Sequence, residues 1–252
     1  MNGIIITFLT VFGLILGSFF NVVGIRVPKK ESIMFPGSHC PACKHRLKWF
    51  ELIPIFSYLF LKGRCHSCGI RISFLYPFVE MVTSFLFLLS YFKFGLSVQL
   101  LFALLLVSLM VIIFVTDIVY MLIPDRILII FSILFTILRI LYPMQPWWNP
   151  YVGAIIAFLL LLIIAVISKG AMGGGDIKLF FVVGLALGVK GVFTTFILST
   201  FLGAIFGIIL MIIGFSKRKA IPFGPFIGVG AIISLLYSDS IISLYLNFFK
   251  IV

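Results

Sequence analysis

An aspartate preceded by three glycines is the first place where residue types and spacing could support chemistry. Asp176 follows Gly173, Gly174 and Gly175 and lies between two long apolar runs. A charged side chain in or near hydrocarbon costs about 2.5 to 3.5 kcal/mol on insertion scales, so such an acid indicates a function. Because glycine tolerates positive φ and close backbone contact, the stretch is predicted to be a bend that opens into a helix. The alternative is a flexible loop whose aspartate caps the next helix.

A second aspartate, Asp117, ends the third predicted span, and Pro124 predicts that the chain then turns and restarts as a helix. Both aspartates are therefore expected on one side of the membrane at similar depth. Neighbouring carboxylates can share a proton, so that one acts as general base on a water and the other as acid. Helix dipoles predict that Asp117 holds the proton and Asp176 is the base. Asp125 rivals Asp117, although its place after proline favours a cap or a first-turn charge.

The cysteines of the chain form two C-x-x-C pairs in one basic stretch, and they are Cys40, Cys43, Cys65 and Cys68. This spacing predicts a four-thiolate zinc site, with unmetallated or redox-active thiols as the alternative. Four thiolates leave no open coordination position, so the zinc is expected to be structural, in a loop too short to bury its own core. His39, His45 and His66 lie beside the cysteines, either as surface residues or in place of a thiolate.

Composition predicts that these groups belong to a membrane protein, because 63% of the 252 residues are hydrophobic and 10% are charged. The predicted fold is an all-α polytopic membrane protein with about eight transmembrane helices and a small zinc-binding cytoplasmic loop domain between the first two. The spans are expected at about 4–23, 74–92, 97–115, 127–141, 152–167, 177–189, 192–215 and 223–245. The predicted domains are the first helix at 1–25, the cysteine loop at 26–73 and a seven-helix membrane-embedded core at 74–252.

Basic residues predict the orientation. The chain has 19 Lys and Arg against 7 Asp and Glu, a net charge of +12. In a soluble protein this excess would suggest nucleic acid. Here it fits the accumulation of Lys and Arg in cytoplasmic loops, so membrane lipid is the expected partner and nucleic acid is not. An amino terminus outside the cell leaves on the outer side only Lys93, Arg139, Lys190 and Lys250. The cysteine loop and both aspartates then lie at the cytoplasmic face of the cell membrane.

Motifs along nearly the whole chain resemble those of type IV prepilin peptidases, of the bifunctional leader peptidase and N-methyltransferase kind that serves competence. The resemblance is carried by Gly17-Ser18-Phe19-Phe20-Asn21-Val22-Val23, the four cysteines, Gly63-Arg64-Cys65, Tyr76-Pro77-x-x-Glu80, Asp117 with Ile123-Pro124-Asp125, and Gly173-x-Gly175-Asp176-x-Lys178-Leu179. Together these motifs are specific, whereas Gly-x-Gly-Asp alone would be a weak signal.

The resemblance implies an aspartic endopeptidase whose catalytic residues are Asp117 and Asp176. The supporting residues that it implies are Gly173, Gly175, Lys178 and Glu80. Its substrates would be type IV prepilin or pseudopilin precursors, which are cleaved between a basic leader and a hydrophobic helix. The new amino terminus would then be methylated, with S-adenosylmethionine as methyl donor.

Two further acids, Glu51 and Glu80, lie outside the predicted pair of catalytic aspartates. Glu51-Leu52 precede Ile53-Pro54 where family members often have Asp-Asn, a departure that matters if the loop carries methyl transfer. Glu80 lies within the second span. It is expected either to take part in helix packing or to form a methyl-transfer or substrate contact. The sequence shows no glycine-rich strand-to-helix motif that would locate an S-adenosylmethionine site.

Two alternatives belong to other functional classes. Intramembrane acids also build proton-coupled transporters, although both aspartates are expected near one surface rather than at the bilayer midplane. A non-catalytic pilus-assembly scaffold would tolerate asparagine at either Asp117 or Asp176, whereas a peptidase would not.

Overall fold

The structure is a computed structural model, and it describes residues 2–169, 172–214 and 221–248. These residues are helical apart from turns, loops and two isolated β-bridges. The helices are α1 (Asn2–Arg26), a 3₁₀ turn (Trp49–Leu52), α2 (Phe56–Phe60), α3 (Leu75–Phe94), α4 (Val98–Tyr120), α5 (Asp125–Leu141), α6 (Asn149–Ile167), α7 (Gly174–Ile212) and α8 (Gly224–Phe248). Backbone contacts divide the chain into two units, Met1–Gly95 and Leu96–Val252, each described here by itself.

Six of the described helices, α1, α3, α4, α6, α7 and α8, are long and apolar enough to cross a membrane. Helix α5 has only 17 residues. Helix α7 has 39 residues, and at about 1.5 Å per residue it would be about 58 Å long, roughly twice the hydrocarbon thickness. A break at Gly188 divides it. The prediction of about eight spans agrees with this arrangement when α5 and both halves of α7 are counted.

In the first unit, α1 and α3 pack as an antiparallel pair at very short distance. A Cβ atom added to Gly13 would lie 2.6 Å from the Ser84 Cα, and one added to Gly17 would lie 2.7 Å from the Glu80 Cα. Only glycine permits this approach, which suits helix packing in lipid. The loop that follows α1 is tied to the helix end by Arg26, whose guanidinium donates to the Pro36 carbonyl at 2.8 Å and to three neighbouring carbonyls.

In the second unit, α4 supplies much of the core. Its side chains at Leu106, Leu109 and Ile113 are fully buried, as expected of a helix that is apolar on all sides. Helix α6 packs tightly on the first half of α7, where a Cβ on Gly184 would lie 2.4 Å from the Ala154 backbone.

The break in α7 leaves polar backbone groups without helical partners, and two side chains satisfy them. Gly188 has φ 70° and ψ −174°, a conformation that favours glycine. Arg139 of α5 donates to the Leu185 carbonyl at 3.3 Å and to the next carbonyl. The Asn149 Oδ1 of α6 accepts the Val189 N–H at 2.9 Å. Helix breaks at membrane depth require such partners, so α5 and α6 together hold the short helix that begins at Gly174.

Candidate active site

Asp117 lies in the last turn of α4. Met121 ends the helix in a left-handed conformation, with φ 51°, and its N–H donates to the Asp117 carbonyl at 2.9 Å. Pro124 precedes the first residue of α5, Asp125. The prediction that the chain turns at this proline and restarts as a helix is therefore confirmed.

Asp176 lies in the first turn of α7. Gly173 caps the helix in an extended conformation, and the Asp176 N–H donates to the Gly173 carbonyl at 3.1 Å. The glycines thus form the predicted bend that opens into a helix, and the aspartate lies inside the helix rather than at the cap. A negative charge in the first turn is stabilised by the helix dipole.

Both carboxylates line one cavity of about 670 Å³ in the second unit. Its walls come from the segments 121–123, 172–175 and 221–223, and from Ile164, Phe196 and Thr200. Asp117 is only 6% exposed. The structure therefore brings two acids from opposite helix ends into one largely apolar chamber with room for water and a peptide segment, while their catalytic roles stay a prediction.

Gly224 is a site residue that sequence reasoning missed. It is the first residue of α8, and its N–H donates to the Asp117 Oδ2 at 2.7 Å. A Cβ at this position would lie 2.8 Å from the same oxygen. The proline on each side of Phe223-Gly224, at positions 222 and 225, was the available signal, because proline before and just inside a helix start marks a terminus with free N–H groups.

The three glycines before Asp176 do not contribute equally. A Cβ on Gly175 would lie 2.8 Å from the Ile123 Cβ, and one on Gly173 would lie 3.0 Å from the Asp176 Oδ2. A Cβ on Gly174 would meet nothing within 4 Å. Close packing thus explains glycine at the outer two positions, which are the two that the Gly-x-Gly-Asp motif specifies.

We predict that Gly175→Ala lowers the rate of the leader removal that the sequence resemblance implies by about 100-fold, because displacement of the Asp176 turn by about 1 Å can have that effect. Gly174→Ala is the matched control and should stay within about twofold, since its methyl group meets open space. Leader removal from a prepilin is measured for both variants in membranes. Equal loss in the two variants would show that the motif requires backbone flexibility rather than space beside Ile123.

Lys178 pairs with the rival acid Asp125. Its Nζ lies 2.8 Å and 2.9 Å from the two carboxylate oxygens of Asp125. Both side chains are more than half exposed, and neither lines the cavity that holds Asp117 and Asp176. The geometry supports a first-turn ion pair for Asp125 and a supporting, indirect role for Lys178.

Glu80 lies in the first unit, in the interface between α3 and α1, and is 6% exposed. Its Oε2 accepts the Ile55 N–H at 2.8 Å. It is therefore a contact between the helix pair and the loop.

The four cysteines converge in the first unit. The Sγ atoms of Cys40 and Cys68 are 3.8 Å apart and those of Cys43 and Cys65 are 3.9 Å apart, and all four lie within 4.8 Å of one another. Tetrahedral Zn–S bonds of about 2.3 Å place sulfur atoms about 3.8 Å apart, whereas a disulfide requires about 2.05 Å. The geometry fits a four-thiolate metal site.

Each C-x-x-C pair forms the same backbone turn. The Cys40 N–H donates to the His45 carbonyl, and the Lys44 N–H donates to the Cys40 carbonyl. The same two bonds recur 65 − 40 = 25 residues later, at Cys65. The N–H groups of Cys43 and Ala42 lower the pKa of the Cys40 thiol to about 7, and equivalent N–H groups lower the pKa of Cys65. The turns thus favour the thiolate form of the first cysteine in each pair, Cys40 and Cys65.

Glu51 supports the loop. Its Oε2 accepts the Lys48 N–H at 2.7 Å and lies 3.3 Å from the His45 Nε2. Burial acts to raise the Glu51 pKa, but these two hydrogen bonds outweigh it and the pKa is lowered. His45 is therefore engaged with a carboxylate, and the four sulfur atoms need no histidine among them.

Comparison with known proteins identifies the family. Residues 11–94 match the bacterial peptidase A24 N-terminal domain, and residues 104–208 match the type IV leader peptidase family. The chain is 47% identical to a prepilin leader peptidase/N-methyltransferase of Bacillus subtilis over 243 residues, 96% of this chain and 98% of the relative. It is 33% identical to the protein of that name in Legionella pneumophila over 266 residues, covering 94% and 93% of the two chains. No solved structure matches it.

The regions that match the two family models contain the candidate site residues that the structure describes. The leader peptidase match contains both Asp117 and Asp176, and the N-terminal match contains Glu80 and the four cysteines. The similarity to relatives extends over nearly the whole chain. The chain therefore belongs to the type IV leader peptidase family.

Proposed function

We propose that Asp117 and Asp176 form the catalytic dyad with which this chain cleaves type IV prepilins. The chain is a membrane peptidase that removes the prepilin leader, and an N-methyltransferase, the two activities that its relatives' names state. The observation that supports the dyad is the convergence of both carboxylates on one cavity within the peptidase region. Leader removal from a prepilin, followed by mass spectrometry of the new amino terminus, measures both activities in one sample.

In the proposed mechanism one aspartate accepts a proton from water while the other donates to the peptide group. The Gly224 N–H stabilises the ionised form of Asp117, because a carboxylate accepts a stronger hydrogen bond than a carboxylic acid does. We therefore propose Asp117 as the base and Asp176 as the acid, the reverse of the assignment that helix ends alone favour. The start of α8, which sequence reasoning did not connect with Asp117, is the reason for the change.

The two alternative functions are not supported. The relatives that match nearly the full length carry the peptidase and methyltransferase name, and no comparison indicates a transporter or a scaffold. The cavity lies at the ends of α4 and α7. This placement suits cleavage of a substrate peptide bond that lies at a membrane surface.

We propose that the cysteine site holds structural zinc. Four thiolates complete a tetrahedral shell and leave no position for a substrate, so hydrolysis does not pass through the metal. Bound zinc would supply the folding free energy that the short loop lacks. S-adenosylmethionine is the methyl donor that N-methylation implies.

We predict that the purified wild-type chain contains one zinc ion and that Cys43→Ser contains about a tenth of that amount, because three thiolates hold zinc less tightly than four. Ser67→Ala, which changes a residue between two of the cysteines, is the control and should retain the metal. Zinc is measured by mass spectrometry against protein concentration. A zinc-free wild type whose cysteines are disulfide-bonded would contradict the proposal.

We propose that the cysteine loop and the dyad face the cytoplasm, with the amino terminus outside. The uneven distribution of Lys and Arg supports this orientation, because it leaves only Lys93, Arg139, Lys190 and Lys250 on the outer side. Four of the cations that entered the prediction, Lys217, Arg218, Lys219 and Lys250, lie outside the described residues. The domain division at residues 25 and 73 also stays a prediction.

A further inference from the structure

The pair of helices α1 and α3 buries a polar cluster to which leader cleavage assigns no role. Gly17 brings α1 against the backbone of Glu80, and the Ser18 hydroxyl hydrogen-bonds to the Glu80 carboxylate. One turn further along α1, Asn21 is 0% exposed. Polar groups buried in a helix pair must find partners within the protein. The partners that Glu80 and Asn21 have in the structure therefore show which donor or charge is missing from the cluster.

Asn21 presents an acceptor with no donor. Its Nδ2 donates to the carbonyls of Gly17 and Tyr76, each at 3.2 Å. Because carbonyls only accept, these two bonds determine which end of the amide is nitrogen. The Oδ1 is buried and has no hydrogen-bond partner among the described residues. A buried acceptor left in this state is unfavourable, so the cluster lacks a donor.

Among the ion pairs of the described residues, none contains Glu80. Its described partners are the Ile55 N–H and the Ser18 hydroxyl, both neutral. A carboxylate buried among neutral donors alone is costly. The missing group is thus one that carries positive charge and N–H donors together.

Glu80 also holds a strained turn of the loop. Ile55 has φ 63° and ψ −52°, and the Phe56 N–H donates to the Pro54 carbonyl at 2.7 Å. This is a γ-turn with positive φ at its centre, which is rare and strained, especially for a β-branched residue. Strained backbone collects at functional sites. The Glu80 carboxylate therefore also positions the segment next to it.

We propose that Glu80 and Asn21 bind the primary amine that becomes N-methylated. An alkylammonium supplies both the charge for Glu80 and the N–H donors for Glu80 and the Asn21 Oδ1. The sulfonium of the methyl donor carries charge but no N–H. The amino-acid end of the donor is also an alkylammonium, and the comparison of free-amine and N-acetylated peptides described below distinguishes these two sources. The proposal rests on the N-methylation activity of the chain and is independent of the Asp117 and Asp176 dyad.

Glu80 would act as the base for this step. The ammonium transfers one proton to the Glu80 carboxylate and becomes a neutral amine. The amine lone pair forms the new N–C bond as the bond between the methyl carbon and the donor sulfur breaks. The product is a secondary ammonium and a neutral thioether, and Glu80 returns its proton to water. The Asn21 Oδ1 accepts a second N–H of the amine, and the neutral amine then turns its lone pair from the Glu80 carboxyl group to the methyl carbon before the N–C bond forms.

The test uses the full-length protein with a synthetic peptide that has the amino-terminal sequence of a cleaved prepilin, so leader removal is not required. Glu80→Gln keeps an acceptor for the Ile55 N–H but has no charge. We expect methylation at neutral pH to fall by about 100-fold, the typical contribution of a general base. Activity should rise by up to about tenfold toward pH 9.5, because an α-amine with a pKa of about 7.7 to 8.0 is about nine-tenths protonated at neutral pH and then loses its proton without help. A purely structural role would not produce this recovery.

Binding supplies a second readout. The wild type should bind the free-amine peptide about tenfold more tightly than the N-acetylated peptide, whereas Glu80→Gln and Asn21→Leu should lose this preference. Ser84→Ala removes another polar contact of the same helix pair, the hydrogen bond to the Thr10 carbonyl. This variant should keep the preference for the free-amine peptide. Leader removal from intact prepilin, measured in parallel, reports folding.

Wild-type methylation by Glu80→Gln at neutral pH would overturn the proposal. Glutamine imitates a protonated Glu80 that donates to Asn21, and full activity would show that the cluster is only a packing device. Equal recovery of all variants at high pH, including Ser84→Ala if it is impaired, would also contradict it. Loss of cleavage by the dyad variants with methylation of the peptide intact would separate this proposal from the peptidase.

Discussion

Asp117→Asn and Asp176→Asn should each lower the rate of leader removal by roughly 10³-fold or more, while leaving the protein folded. Asparagine matches aspartate in size, and its amide oxygen can still accept the Gly224 N–H at position 117. It can neither take a proton from water nor give one to the peptide group. Initial rates of prepilin cleavage in membranes measure the effect, with each variant's amount and thermal unfolding compared with the wild type.

Asp125→Asn is the matched control for these variants. It removes a carboxylate at the start of α5 that pairs with Lys178 in an exposed position, and exposed ion pairs contribute about 0 to 1 kcal/mol. Its cleavage rate should stay within a few-fold of wild type. A rate as low as that of Asp117→Asn would place Asp125 in the reaction and contradict the geometry of the cavity.

Gly224→Ala should lower the cleavage rate by about 100-fold, the second largest expected effect. Its methyl group would lie 2.8 Å from the Asp117 Oδ2, closer than carbon and oxygen approach without a hydrogen bond. The carboxylate or the start of α8 must therefore move, and a shift of about 1 Å in a catalytic group can have this effect. The loss should appear in kcat, because the changed contact is to a reacting group rather than to bound substrate.

Gly228→Ala controls for helix packing. It adds the same methyl group one turn later in α8, where the nearest atom, the Met110 Cβ, would be 3.6 Å away, an ordinary contact. This variant should cleave at close to the wild-type rate. If both glycine variants lose activity equally, α8 tolerates no added volume anywhere, and the special role of the Gly224 N–H is refuted.

The spans and the two aspartates could be predicted because apolar length and the cost of a buried charge are properties of short stretches of sequence. The bend before Asp176 was predictable for the same reason, since glycine has distinct backbone preferences. The break in α7 was also predictable, because two separate spans are predicted there from the sequence, at about 177–189 and 192–215. Its partners, Arg139 and Asn149, were not predicted, because both lie at least 40 residues from the groups they satisfy.

The remaining features depend on contacts between distant segments. Gly224 reaches Asp117 across 107 residues, and no local pattern shows which carboxylate a helix start will meet. The strained turn at Ile55 donates its N–H to Glu80, which lies 25 residues away in the sequence. The cysteine site was predictable as a ligand set, whereas the identical turns around its two pairs became visible only in the backbone hydrogen bonds.

The most direct test of the central claim is a double-mutant cycle between Asp117 and Asp176. Single-turnover rates of prepilin cleavage are measured for the wild type, Asp117→Asn, Asp176→Asn and the double variant. If the two carboxylates act as one unit, the double variant should cleave no more slowly than the slower single variant. Losses that multiply would show that the two residues contribute separately, and wild-type cleavage by either single variant would remove that residue from the dyad.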